Sequence, residues 1–336
     1  MSKIAFYSAK AEDRSFFKNY FKDTKHELAF YPCEINISEL DKDTEVLSVF
    51  VDVPVTKDII KALPRLKLIA CRSTGYNNVD LKAAKDHGVT VVNVPSYGGS
   101  TVAEYAFTLL LMLTRRMTRV ITQTNTCDPN RSAEQGMDLH GKTIGIIGTG
   151  SIGLGVAKIA RGFGMNILGY DIYERPDAAG EIGFTYKPLD ELLKNSDVIT
   201  LHVPYFPDQN HHFINDKTFA KTKKGAILIN TARGELVDTA ALVRALDNMQ
   251  LSAAGLDVLE DEKLLKTDEV ADLASQKDAS KDILNHAVAI SALQDMSNVI
   301  ITNHNAYNTA EALERINQTT ADSIAKFFDK KEVPTV

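Results

Sequence analysis

Gly148-Thr149-Gly150-Ser151-Ile152-Gly153 follows the apolar run Thr143-Ile144-Gly145-Ile146-Ile147 and precedes Val156, Ile159, Ala160 and Phe163 at helical spacing. An apolar run, a glycine-rich turn and an amphipathic helix form the opening of a dinucleotide-binding unit. The glycines let the backbone approach a pyrophosphate, and the helix N-terminus offers free N–H groups to its charge. The hexapeptide gains weight from Asp171, at the end of the next apolar run, 166–170. A carboxylate about 20 residues after the glycines accepts hydrogen bonds from an adenosine ribose and repels a 2′-phosphate. NAD is therefore the expected cofactor, in preference to NADP.

Working outward, further short apolar runs occur downstream at 198–201, 226–229, 253–256 and 299–302, and upstream at 4–7, 46–51, 66–70 and 90–94. Helical patterns separate them, among them 16–21 and 79–87. Such alternation predicts an α/β protein with parallel, doubly covered sheets. Residues 101–116 read as one long helix with hardly a polar face, buried between layers or at an interface. The charge-rich segment 261–298, helical over 283–293, reads as an insertion of no assigned role, and 309–328 as a closing helix. A cofactor unit that begins near residue 143, with an α/β lobe before it and a returning helix after it, implies one domain inserted into another. The expectation is a flavodoxin-like substrate domain from 1–99 and 302–336, interrupted by a Rossmann domain at 100–301. Both would be doubly wound parallel sheets, with a ligand cleft between them.

The 336 residues suit about two domains. Hydrophobic residues at 44%, charged residues at 24% and a net charge of −6 describe a folded protein with no basic footprint for nucleic acid or anionic lipid. A small partner is expected. Cys33, Cys71 and Cys127 show no CxxC spacing and no neighbouring histidine, which predicts neither a zinc site nor a disulfide framework. No metal is expected, and a reducing cytoplasm fits. The apolar stretch 106–114 is far short of the ~18 residues of a membrane span. Lys10, Glu12, Asp13 and Arg14 interrupt the N-terminal run before it can read as a cleavable signal.

Several motifs, in this order, resemble the D-2-hydroxyacid dehydrogenase family over nearly the whole chain. Besides the glycine turn they are Arg72-Ser73-Thr74-Gly75-Tyr76-Asn77-Asn78-Val79-Asp80, Asn93-Val94-Pro95-Ser96-Tyr97 and Thr101-Val102-Ala103-Glu104. Further on come Leu201-His202-Val203-Pro204, Ile229-Asn230-Thr231-Ala232-Arg233-Gly234, 255–262 and Ile301-Thr302-Asn303-His304. The resemblance is nearest to the D-lactate dehydrogenase subgroup. It implies that Arg233 grips a substrate carboxylate and polarises its keto oxygen, a task suited to a permanently charged fork of donors. His304 matches the acid/base that protonates the developing alkoxide. Glu262, the fifth residue after Asp257, matches the acid that pairs with this histidine and favours its protonated form. Glu260 and Asp261 are competitors for that place, and a plain solvated acidic run is the bland alternative.

The resemblance also places Asp257 beside the nicotinamide carboxamide. Gly148, Gly150, Ser151, Ile152, Gly153, Asp171, Val203, Pro204, Asn210, Thr231 and Ala232 fall around the cofactor. Thr74 and Gly75 match a loop whose backbone N–H groups receive the carboxylate. Tyr97 and Tyr307 are candidates for the pocket wall, and equally for core aromatics. The implied reaction is reduction of pyruvate to D-lactate by NADH in a cytoplasmic homodimer. Its rivals are hydroxypyruvate, glyoxylate or bulkier 2-keto acids, and, from another class, an NADH-sensing corepressor-like scaffold. The chain departs from the family at Asn303, where proline is usual, in the Tyr97-Gly98-Gly99-Ser100 turn, and in the length between Glu262 and His304.

Overall fold

The computed structural model describes residues 2–126, 135–265 and 281–336. Cys127 and residues 266–280 of the expected insertion lie outside them. The chain divides into two compact units, Met1–Tyr97 with Asn308–Val336, and Gly98–Tyr307. The chain passes between units at 97/98 and 307/308, where the sequence reading expected 99/100 and 301/302.

In the first unit, strands β1 (Lys3–Phe6), β2 (Glu27–Phe30), β3 (Thr44–Val49), β4 (Leu68–Cys71) and β5 (Thr90–Val92) form a sheet of order β2-β1-β3-β4-β5. Every pairing is parallel. This is the flavodoxin-like order. Strand β3 is buried along its whole length because helices cover both faces. Leu47, Val49 and Ile69 pack with Ile59 and Ile60 on one side, and Val46 and Leu68 with Phe17, Ala321 and Ile324 on the other. The last two belong to the helix Ala310–Phe328, started by Thr309, whose hydroxyl accepts from the Ala312 N–H at 3.2 Å. Strand β2 has no counterpart in the expected pattern: it is a short, half-exposed edge strand, although Leu28-Ala29-Phe30-Tyr31 is an apolar run much like 4–7.

In the second unit, β6 (Thr143–Ile147), β7 (Asn166–Tyr170), β8 (Thr185–Tyr186), β9 (Val198–Leu201), β10 (Ala226–Asn230), β11 (Leu251–Leu256) and β12 (Val299–Ile301) form a sheet of order β12-β11-β10-β9-β6-β7-β8. All pairs are parallel. The order reverses between β9 and β6, the Rossmann switch point, outside whose carboxyl ends ligands bind. The helix Thr101–Thr114 packs Ala106, Leu109 and Leu110 with Val156, Ala157 and Ile229. It is shorter than the expected 101–116. Arg116 turns left-handed at φ 50, and a second helix, Met117–Asn125, begins where the apolar run gives way to polar residues.

Candidate active site

The carboxyl ends of β6, β7, β9, β10, β11 and β12 each lead into a segment containing residues singled out in the sequence. Parallel pairing aligns these ends on one edge of one sheet. The glycine turn follows β6, Asp171 follows β7, Val203 and Pro204 follow β9, and Thr231–Arg233 follow β10. Asp257 and Glu262 follow β11, and His304 follows β12.

The glycine turn has the form a pyrophosphate needs. Gly148 adopts φ +94, a left-handed conformation that a side chain resists, and a Cβ there would lie 2.6 Å from the His202 carbonyl carbon. That contact brings Val203 and Pro204 beside the turn. Gly150 precedes the helix Ser151–Gly162 with no side chain capping it, so the first N–H groups of the helix are free to receive an anion. A Cβ at Gly150 would meet nothing within 4 Å, which leaves open space above those donors. Ser151 and Ile152 begin the helix. The Asp171 carboxylate accepts from Thr149 N at 2.6 Å, Thr149 Oγ1 at 3.1 Å and Tyr173 N at 2.9 Å, so it is anchored to the turn at the end of β7. Asn210 pins the next segment, accepting from Phe206 N and donating to the Pro204 carbonyl, both at 2.7 Å. These residues fit a dinucleotide.

Arg233 sits in a turn built by Asn230, which the sequence reading did not single out. The Asn230 side chain accepts from Ala232 N at 3.0 Å and donates to the Arg233 carbonyl at 2.9 Å, while Arg233 Nη1 donates to the Ala232 carbonyl at 2.6 Å. The neighbouring Thr231 hydroxyl is buried and has no partner among the described residues. Such an atom is costly unless a ligand or water satisfies it.

His304 is held in a left-handed backbone, φ 52, by Asp257. Its N–H donates to the Asp257 carbonyl at 2.8 Å, and the Asp257 carboxylate accepts from Thr302 Oγ1 at 2.6 Å and from Asn305 N and Ala306 N at 2.8 Å each. Burial pushes the Asp257 carboxyl above its ordinary range, although these donors favour the charged form. In this structure Asp257 shapes the turn that presents His304. The three consecutive acids part company. Glu262 faces His304 Nδ1 at 3.4 Å, Glu260 takes His212 Nε2 at 2.7 Å, and Asp261 takes His286 Nδ1 at 2.6 Å. Tyr307 presents its ring edge-on to His304, centroids 6.5 Å apart.

His202, after β9, is partly buried, with its ring nitrogen Nδ1 shut off from solvent. Its Nε2 meets Thr200 Oγ1 at 2.8 Å and its Nδ1 has no partner among the described residues. Burial pulls its pKa down to about 3 from 6.5. Between those values the unfolded chain binds a proton that the folded chain refuses, so stability falls as pH drops through 6.5. By pH 5 this one group costs about 2 kcal/mol. A urea-unfolding comparison at pH 7 and pH 5 is expected to show a loss about 2 kcal/mol larger in the wild type than in His202→Gln; equal losses would show that the ring protonates in place.

Thr74, Gly75 and Tyr97 belong to the first unit. Thr74 Oγ1 donates to the Val94 carbonyl at 2.8 Å, Ser73 Oγ to the Gly75 carbonyl at 2.6 Å, and Arg315 to the Tyr97 carbonyl at 3.0 Å. Arg72, which contributes to the D-lactate resemblance, is buried inside this unit. Its guanidinium donates to the Tyr7, Ser8 and Ser48 carbonyls and to the Ser48 hydroxyl, and burial lowers its pKa to about 10. Its role here is to tie the ends of β1, β3 and β4 together.

Residues 107–306 match the family model described as D-isomer specific 2-hydroxyacid dehydrogenase, NAD binding domain. A 2-hydroxyacid dehydrogenase homolog of Haemophilus influenzae is 38% identical over 333 residues, 98% of this chain and 97% of that one. The D-lactate dehydrogenase of Escherichia coli is 36% identical over 339 residues, 99% of this chain and 98% of its own. The solved D-lactate dehydrogenase of Aquifex aeolicus, complexed with NAD and lactic acid, superposes with a TM-score of 0.84 at 38% identity, covering 97% of this chain and 96% of that one. Among the described residues no helix is long and apolar enough to cross a membrane.

Proposed function

Because this chain belongs to the D-isomer specific 2-hydroxyacid dehydrogenase family, an NAD-dependent oxidoreductase family, we propose that it reduces pyruvate to D-lactate, with Arg233, Glu262 and His304 as its catalytic residues. The observation that carries this reading is the His304–Glu262 contact at 3.4 Å, on the strand edge that also bears Arg233 and the glycine turn. Bound NADH supplies the hydride. Arg233 holds the substrate carboxylate and polarises the keto oxygen with fixed donors. His304, with Nδ1 toward Glu262, gives a proton from Nε2 to that oxygen, and Glu262 orients the ring and balances its positive charge. Asp257 keeps the turn in register, and Tyr307 flanks the ring. Lactate bound in the Aquifex relative supports pyruvate as the substrate. A homodimer in the cytoplasm completes the proposal.

The test is NADH oxidation by purified protein with pyruvate, 2-ketobutyrate, phenylpyruvate, hydroxypyruvate and glyoxylate, followed by product chirality. Pyruvate is expected to show the highest kcat/KM and to yield the D-isomer. A larger kcat/KM for any of the other four acids, or an L-product, overturns the substrate assignment. NADH binding without turnover on all five would favour a sensing scaffold.

A further inference from the structure

We propose that His211, His212 and Glu260 form a binding site for one divalent transition-metal ion of the zinc class, with His286 supporting Glu260 from behind. His211 and His212 follow the short helical turn Pro207–Asn210, Glu260 follows β11, and His286 comes from the helix Lys281–Asp295. Consecutive side chains in extended backbone point to opposite sides. Here His212 adopts φ +50, held by its N–H to the Glu235 carbonyl at 2.9 Å and by Asn215 Nδ2 to its own carbonyl at 2.8 Å. The two imidazoles consequently stack, centroids 3.9 Å apart and 23° from parallel, and present Nε2 to the same carboxylate. His212 Nε2 lies 2.7 Å and His211 Nε2 3.8 Å from Glu260, and potential ligand atoms of these three residues fall within 4.8 Å of one another.

His286 stands against Glu260, outside that group of three. Its Nε2 stands 3.7 Å from Glu260 Oε2, while its Nδ1 meets Asp261 at 2.6 Å. A zinc-binding histidine is usually held in place by a hydrogen bond from its second ring nitrogen to an oxygen. His211 is supported similarly, with Nδ1 3.2 Å from the Tyr205 hydroxyl. When His211 Nδ1–H donates to the tyrosine oxygen, Nε2 keeps its lone pair for the ion; at His212 the proton now on Nε2 moves to Nδ1 or to solvent.

The donor set, two imidazoles and one carboxylate with water in the fourth position, suits zinc better than magnesium or calcium, which take oxygen ligands, and binding turns the two stacked rings toward a common point. Glu260 is 9% exposed and His211 half-exposed, so the centre is largely enclosed yet reachable from solvent. An ion here would tie the segment after β9 to Glu260, two residues before Glu262 in the chain, and the helix Lys281–Asp295 would back that carboxylate through His286.

The test is titration of the full chain, saturated with NADH, by Co²⁺, read by visible absorption and thermal unfolding, with Zn²⁺ as competitor. One ion per chain is expected, with the intense bands of a four-coordinate site, displacement by Zn²⁺ and a raised Tm. His211→Gln and His286→Gln lie on accessible segments and are each expected to weaken binding by about 10- to 100-fold, the range seen when metal-site residues are changed. Absence of saturable binding overturns the proposal. So does binding that neither variant alters, which would place the ion elsewhere and leave these residues as ion pairs.

Discussion

Replacing His304 by asparagine is expected to lower kcat for pyruvate reduction by about 10²- to 10⁴-fold, the contribution of a positioned general acid. Asparagine is the informative choice because residue 304 sits at φ 52, a region that asparagine tolerates far better than branched residues do. The turn should survive, since its hydrogen bonds run from backbone N–H groups and Thr302 to Asp257 and not through the imidazole. The loss then falls on the proton-donating step. NADH affinity, read by fluorescence titration, should stay within about twofold and Tm within a few degrees, because a single change far from the core usually shifts stability by little. Turnover within tenfold of the wild type would remove His304 from the mechanism and detach Glu262 with it.

Gly234→Ala is expected to damage folding and catalysis together. A Cβ at this position would lie 1.9 Å from the Leu259 carbonyl carbon, 2.1 Å from Glu260 N and 2.3 Å from the Leu259 carbonyl oxygen. All three atoms are backbone, so no side chain can rotate away. The turn after β10 and the turn after β11 must separate. Overpacking typically costs 1–3 kcal/mol, and a backbone clash belongs at the upper end, about 3 kcal/mol. Because one turn carries Arg233 and the other leads to Glu262, kcat/KM should fall about 100-fold in whatever protein folds, the effect of roughly 1 Å of misplacement. Gly150→Ala is the control. Its Cβ meets no protein atom within 4 Å, so its Tm should hold while NADH binding weakens. A Gly234→Ala protein with unchanged Tm and turnover would show that the two turns are not packed as described.

Much of this protein was legible in advance for a physical reason: the features concerned are local. Parallel strands covered on both faces read as short apolar runs, and eleven residues of β6 and its glycine turn, 143–153, announce both strand and phosphate loop. Strand β2 escaped although Leu28-Ala29-Phe30-Tyr31 is an apolar run, and β8 because a two-residue edge strand leaves no run to read. Asn230 and Thr302 escaped as positioning residues although both lie inside motifs quoted for their neighbours. Their value comes from side-chain bonds to the Arg233 turn and to Asp257, which spacing does not display.

The amino-acid sequence by itself determined the two α/β units, the glycine turn with its acid after β7, and the identity of the arginine, glutamate and histidine candidates. Residue type and near-neighbour spacing specify the units and the glycine turn, while the three candidates rest on the resemblance of their motifs to the D-2-hydroxyacid dehydrogenase family. Only the tertiary structure decided which acid meets which histidine. Glu260, Asp261 and Glu262 are adjacent in the chain, yet they face His212, His286 and His304, brought there by the end of β9, the inserted helix and the end of β12. It also decided that Arg72 is enclosed by three strand ends of its own unit. Partners this distant in sequence are set by strand order and by the direction each turn takes on leaving the sheet, which no local pattern records.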